Sequence, residues 1–342
     1  MWVNPCRYNY RTNWITFYKK YMKRICNLAL LLIALALTLS CEHKKLSDSS
    51  CSGESQNSIY HWKTTFELDS TEVAFIGRHN IERIYIKMFD VSVEHNFISS
   101  DYDPVPIATT KFVSAVPEGV EVVPVVYVTI EALRVMEGSE AHFGQIIVER
   151  AMAMCNYNNL GSISCLQIDC DWTGSTKKSY DKLCAAAAKA LKSQGKQLSV
   201  TIRLHQLSES APPADCGVLM LYNTGALKNP KTRNSILDIA DAKPYLKSGS
   251  YPLPLAYAYP AFGWGVKFKD GKFEAIVSED VKAEGKGATI RRERASAAEI
   301  LEVKALVESA LGKPANGNIL YHLDDSQLKH YTDDEVLQIF AY

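Results

Sequence analysis

The stretch Cys165–Ser175, CLQIDCDWTGS, decides how the rest of the chain is read. Leu166, Ile168 and Cys170 alternate with Gln167, Asp169 and Asp171. A period of two puts an apolar row on one face of a strand and a polar, acidic row on the other. Trp172 and a Thr-Gly-Ser turn follow, and then a helical pattern through Tyr180–Lys192. A strand with one greasy and one acidic face, leading into a helix, fits one unit of a β/α barrel. The apolar row lies under the helices and the acidic row looks into the barrel mouth. Two carboxylates at i and i+2 on that inner face raise each other's proton affinity, a cost that chemistry or a cation must offset. The plainer alternative is that both are salt-bridged and merely fill the barrel.

Outward from that strand, apolar or alternating runs bounded by helical patterns give about eight strands. They are Tyr60–Phe66, Arg83–Val91, Glu121–Thr129, Ser164–Asp171, Leu198–Leu204, Gly217–Asn223, Leu255–Pro260 and Asn318–Leu323. Helical patterns occupy Thr71–Arg78, Ala141–Tyr157, Tyr180–Ser193, Pro230–Leu246 and Ser296–Leu311. Gly195 and Gly312 stand where helix C-caps belong. The expected fold is therefore α/β, a (βα)8 TIM barrel. Trp264–Val277 reads as a hairpin insertion after the seventh strand, turning at Asp270-Gly271, on the face where barrel active sites lie.

Strand parity nominates the interior. On the second strand it places Tyr85, Lys87 and Phe89 inside, and on the fifth Thr201, Arg203 and His205. On the first, His61, Lys63 and Thr65 share a face, although Trp62 has an equal claim on the interior. On the last, Leu320, His322 and Asp324 share a face and Asp325 follows. Any one of these polar residues alone reads as a salt-bridged structural group. Their convergence nominates Asp169, Asp171, Asp324 and His322 as catalytic candidates, with Lys87 and Arg203 holding the acidic pair. Aromatic residues gather at the same ends: Trp172, Tyr222, Tyr257, Tyr259, Phe262 and Trp264. Aromatic faces beside carboxylates suit sugar rings, so Trp172, Tyr222, Tyr259 and Trp264, with Lys87, Arg203 and His205, are expected to bind substrate; ordinary packing weighs equally for Tyr257 and Tyr259.

The chain has 342 residues, zero formal net charge and 47% hydrophobic content, which points to one large domain. The balanced charge gives no reason to invoke nucleic acid. Lys23 and Arg24 precede an apolar run, Leu28–Leu39, that ends Thr38-Leu39-Ser40-Cys41. The run is shorter than the ~20 apolar residues of a comfortable membrane span. It resembles a bacterial lipoprotein signal peptide over residues 1–41, with Cys41 lipidated and Met22 as an alternative start. An uncleaved anchor would also leave the domain outside the inner membrane. The expectation is a lipid-anchored protein of the cell envelope, at the outer membrane. Residues 42–58, rich in Ser and charge, read as a flexible tether, and residues 59–342 as the barrel. Of nine cysteines, Cys165 and Cys170 lie on opposite faces of one strand, ~16 Å apart, too far to bridge. No Cys/His spacing of a metal site and no phosphate-binding glycine loop appears, so neither metal nor cofactor is expected.

LQIDCDWT is similar to the fourth strand of chitinase-like glycoside hydrolase barrels, which carries D-x-x-D-x-D-x-E. Asp169 and Asp171 match the second and third acidic positions. Leu166 stands at the first, and Thr173 where the proton-donating Glu belongs. The strings IYIKMFDV, TIRLHQL, LMLYNTG and LPLAYAYPAFGWGV also resemble a group of exported barrel lipoproteins of uncharacterised activity. The resemblance implies the barrel fold and a glycan as ligand. It implies either a glycoside-hydrolase-like enzyme or, given Thr173, a non-catalytic glycan-binding or scaffolding lipoprotein.

Overall fold

The computed structural model describes residues 56–247 and 249–342, so the leader, Cys41 and most of the tether lie outside the described residues. The first elements are β1 (Ser58–His61), β2 (Thr65–Phe66), α1 (Ser70–Arg78), β3 (Arg83–His95), β4 (Tyr102–Ile107), β5 (Lys111–Phe112) and β6 (Glu121–Val128). Next come α2 (Ile130–Val135), α3 (Glu140–Tyr157), β7 (Cys165–Asp169), α4 (Lys177–Lys192), β8 (Gln197–Arg203), β9 (Cys216–Met220) and α5 (Ile239–Ala242). The chain ends with β10 (Leu255–Pro260), β11 (Gly263–Lys269), β12 (Lys272–Val277), β13 (Ala288–Arg294), α6 (Ala297–Leu311), β14 (Asn318–Tyr321), α7 (Asp325–Leu328) and α8 (Asp333–Phe340).

Eight parallel strands run in the order β1-β14-β10-β9-β8-β7-β6-β3, and β3 pairs back onto β1. The sheet therefore closes, and the (βα)8 barrel expected from the alternation is the observed fold. Apolar side chains of the outer parity meet the helices. Leu166, Ile168 and Cys170 of the β7 segment are fully buried there, and Tyr180 of α4 donates its hydroxyl to the Ile168 carbonyl at 3.1 Å. Cys165 is buried as well, on the opposite parity, and no disulfide forms among the described cysteines. Gly144 of α3 lets that helix approach α4 closely, since a Cβ there would sit 2.7 Å from the Leu183 carbonyl oxygen.

The interior mixes polar and aromatic side chains with aliphatic ones such as Val123 and Val125. Tyr60 donates its hydroxyl to Gln167 at 2.6 Å, and Gln167 donates its amide to Ser199 at 3.1 Å. Rings of Tyr85 and Tyr321 pack on Tyr60 at 4.8 and 5.6 Å. These contacts correct the parity of the first strand. β1 stops at His61, with Tyr60 and then Trp62 on the inner side, while His61 is buried against Phe66 at 4.8 Å.

Three further differences bear on the site. A bulge in β3 between Lys87 and Phe89 adds one residue against β6 and flips the parity beyond it. Phe89, expected inside, instead lies under the Arg150 guanidinium of α3 at 5.1 Å, and Asp90 takes the inner side. The expected helix Pro230–Leu246 is irregular except for α5. Asn234 and Thr224 side chains take the amides of Ile236 and Asp238, local bonds that compete with a helix. The hairpin insertion after the seventh barrel strand is present as β11 and β12, and Asp270 and Gly271 both take positive φ (49° and 76°), as its tight turn requires. A third strand, β13, extends it to a three-stranded antiparallel sheet.

Candidate functional site

The strand ends enclose a cavity of about 470 Å³. One side is an unbroken chain of rings. Trp62 meets Tyr321 at 5.7 Å, Tyr321 meets Tyr222 at 4.9 Å, Tyr222 meets Phe262 edge-on at 5.9 Å, and Phe262 meets Trp264 at 5.2 Å. Each centroid spacing falls in the range of favourable aromatic pairs. The facing side carries Asp90, Tyr127, Asp169, Asp171 and Arg203, and His322 and Asp324 close the rim.

The acidic centre is organised by one cation. Arg203, at the end of β8, bonds Asp171 through Nε and lies 3.6 Å from Asp169 through Nη2. Asp169 is 3% exposed and also accepts from the Thr201 hydroxyl at 2.6 Å. Burial raises the proton affinity of Asp169, Asp171 adds to it, and Arg203 and Thr201 oppose it; the net direction is upward. Arg203 itself is held charged: burial alone would lower its pKa, but Asp169 and Asp171 together drive it above the usual guanidinium range. Burial and the same two carboxylates raise the Tyr127 hydroxyl. Asp171, with its side chain 44% exposed, is the carboxylate a ligand meets first.

Two other cations serve other carboxylates. Lys87 sits 3.2 Å from Asp90 and 5.9 Å from the Trp62 ring centre, so it does not hold the Asp169–Asp171 pair as expected. The bulge explains this, because it brings Asp90 round to Lys87. Lys63 bridges Glu72 at 2.9 Å and Asp324 at 3.4 Å. Asp324 caps α7 through the Ser326 amide at 3.0 Å. Burial would raise its pKa, but the Ser326 bonds, Lys63 and His322 hold it below the usual carboxylate value. Burial lowers His322, leaving it neutral near pH 7 with Nδ1 unbonded at the rim.

Of the nominated residues, the mouth thus brings together Asp169, Asp171, Asp324, His322, Arg203, Tyr222 and Trp264. Two of the proposed sugar-stacking rings are elsewhere. Trp172 is 1% exposed, stacked on Tyr180 at 6.0 Å with Lys177 above it, and forms part of the α4 packing. Tyr259 is fully buried on the outer parity, where Glu308 of α6 is its neighbour. Tyr257 shares that side and donates to the Gly312 carbonyl at 2.8 Å. His205 is exposed and lines a side groove of about 230 Å³ that shares Asp171, Arg203, Tyr222 and Asn223 with the mouth. Asp325 lies outside the mouth, in the first turn of α7. Sequence parity missed Asp90, Tyr127 and Tyr321. For Tyr127 the signal was present, as it shares the inner parity of Val123 and Val125 on β6.

Thr173, at the position where the chitinase-like motif has its acid, is exposed and its hydroxyl pairs with that of Ser175 at 3.0 Å. Among the described residues no cluster of His, Cys, Asp and Glu is arranged to hold a metal ion.

No protein-family description and no curated protein matches the sequence. Solved structures match the fold. The chitinase of Chromobacterium violaceum aligns with a TM-score of 0.53 at 11% identity, over 84% of this chain and 100% of that one. The spore cortex-lytic enzyme SleL of Bacillus cereus aligns at 0.50 and 14%, over 84% and 74%. A mutant catalytic domain 2 of the Ostrinia furnacalis Group II chitinase, in complex with the chitooligosaccharide (NAG)5, aligns at 0.50 and 12%, over 83% and 95%. At these identities the likeness establishes a chitinase-like TIM barrel as the architecture.

Proposed function

We propose that the protein binds a glycan across the barrel mouth, with oligomers of N-acetylglucosamine as the ligand class to test first. The observation that carries this reading is the run of rings from Trp62 to Trp264 facing Asp169, Asp171 and Arg203 across one cavity. Rings supply a stacking surface for the CH faces of sugars, and the polar side supplies hydroxyl acceptors and donors, the usual division of labour in a ligand pocket. Architectural likeness to a chitinase complexed with (NAG)5 supports the choice of sugar.

Binding without turnover is the stronger form of the proposal. The position of the family's proton donor holds Thr173, and the two nearest carboxylates are both engaged by Arg203. A second reading, glycoside hydrolysis, is favoured by one observation: Asp169 has a raised proton affinity while Asp171 stands ion-paired and accessible. A buried carboxyl with raised proton affinity beside a second, accessible carboxyl group is an arrangement that two-carboxylate mechanisms use.

Isothermal titration with (NAG)5 and with peptidoglycan glycan strands separates the outcomes. Saturable binding with no shortened products by mass spectrometry is expected. Products formed by the wild type and lost in Asp171→Asn would move the assignment to hydrolysis. Flat titrations to millimolar concentration would remove both readings.

The proposal places the barrel outside the inner membrane. Its support is the sequence alone: the basic pair Lys23-Arg24, the short apolar run, and Ser40-Cys41 followed by a Ser-rich stretch. Lipid at Cys41 would hold the domain at the outer membrane, on a tether that reaches β1 at Ser58.

A further inference from the structure

The outer end of the aromatic run is supplied by the insertion. Trp264 lies on β11 directly opposite Glu293 of β13, so the two side chains share a face. Glu293 is fully buried in its side chain and forms three bonds. One oxygen accepts from the Trp264 indole Nε1 at 2.8 Å and from the Ser235 hydroxyl; the other accepts from Arg291 Nε. Arg291 continues into the loop after β9, donating to the Asn229 and Leu227 carbonyls at 2.7 and 3.0 Å. A buried carboxylate with all three donors in place fixes the plane of the ring that β11 contributes to the mouth.

We propose that Glu293 is a positioning residue for the ligand site: it orients Trp264 as the terminal stacking surface, and thereby couples the insertion and the β9 loop to ligand affinity. This rests on the mouth being a glycan site, and adds that a residue outside the cavity sets its affinity. A merely structural Glu293 would staple β13 to the β9 loop through Ser235 and Arg291, with the indole bond incidental.

The two roles separate in a set of variants. In Glu293→Gln the single carbonyl oxygen accepts on one side only, and the amide NH2 meets a donor on the other, so the indole, Arg291 or both lose their bond. Ser235→Ala removes a staple contact and leaves the indole bond. Titration with (NAG)5 is expected to show about a tenfold loss for Glu293→Gln, equivalent to one poorly used stacking ring. Ser235→Ala should stay within about twofold of wild type, and Glu293→Gln should cost nothing further in a Trp264→Ala background. Equal losses in Ser235→Ala and Glu293→Gln, or an undiminished loss in the Trp264→Ala background, would overturn the positioning role. A second measurement needs no ligand. With 15N-labelled indoles, and the Trp264 signal assigned by its disappearance in Trp264→Phe, Glu293→Gln should move that resonance and speed its hydrogen exchange. An unmoved resonance in Glu293→Gln and also in Glu293→Leu, which removes both acceptor oxygens, refutes the proposal. A moved one beside a wild type that binds no glycan upholds the positioning and rejects the sugar reading alone.

Discussion

Arg203 is the residue on which the acidic centre depends, and removing it should cost far more than removing either carboxylate. It is the one cation within ion-pair distance of Asp169 or Asp171 among the described residues. In Arg203→Met, Asp169 stays buried at 3% exposure with its Thr201 bond and no cation. Breaking a buried pair in this way costs ~3–5 kcal/mol. For a domain of this size that corresponds to a melting temperature lower by roughly 5–8 °C. Asp169→Asn is the opposite case. Asn still accepts from Thr201, Arg203 keeps its direct bond to Asp171, and the expense of burying a charge disappears. The net change should be within ~1 kcal/mol of zero. The double variant Asp169→Asn/Arg203→Met should therefore be more stable than Arg203→Met alone, a coupling that a double-mutant cycle by thermal or denaturant unfolding reads directly.

The pH dependence has a fixed sign. The folded pKa of Asp169 lies above its unfolded value of 3.8, so the native state binds more protons in that window. Its ionisation penalty is present above the folded pKa and vanishes below the unfolded one. The stability difference between Asp169→Asn and wild type should therefore favour Asn most near neutrality, and shrink as the pH falls through the raised pKa toward 3.8. Equal melting losses in Asp169→Asn and Arg203→Met, or a difference that grows on acidification, would refute this account of the centre.

Trp62→Ala should weaken (NAG)5 binding and reduce the fluorescence response, leaving the part that comes from Trp264, whereas Trp172→Ala should lose ~3–5 kcal/mol of stability by leaving a cavity under α4. Loss of binding with intact stability in Trp172→Ala would put the stacking surface in the wrong place. Gly144→Ala should destabilise by ~1–3 kcal/mol in chemical denaturation, because its Cβ meets backbone of α4 that cannot withdraw; an unchanged midpoint would show that α3 shifts freely. Radiolabelled palmitate should enter the wild type in cells and not Cys41→Ala, and equal labelling of the two would end the lipoprotein proposal.

The barrel was legible because its alternation is strong where it matters. The β7 segment shows an apolar row and a polar row without exception from Leu166 to Asp171, and the β12 hairpin announces itself with Asp270-Gly271. What failed did so for local physical reasons. The bulge after Lys87 leaves no mark in composition, since it is defined by the β6 partner that slips past it. In β10, LAYAYP permits either parity. On the inner face Ala258 stands between its register partners Met220 and Ile319, both buried, while Tyr257 and Tyr259 point outward. β4 escaped notice because Pro104 and Pro106 argue against a strand, yet as an edge strand paired only to β3 it tolerates them. The last helix, α8, carried a capping box in Thr332 and Glu335 that the reading passed over.

The bulge also bears on the ligand proposed for the mouth. Without it, Lys87 and Arg203 would both face the Asp169–Asp171 pair, a centre with two cations and an open appetite for anions. With it, Lys87 is taken by Asp90, Lys63 by Glu72 and Asp324, and Arg203 by Asp169 and Asp171. Arg203, the one Lys or Arg lining the mouth among the described residues, is thus committed, as are the two lysines paired with Asp90 and Asp324 at its wall. A charged anionic ligand would have to break one of these pairs to enter. An uncharged sugar need only exchange water for the rings and for the exposed oxygens of Asp171, which leaves the pairs standing. Hydroxyl and CH recognition, as proposed, is compatible with these pairs, and the bulge contributes by bringing Asp90 to Lys87.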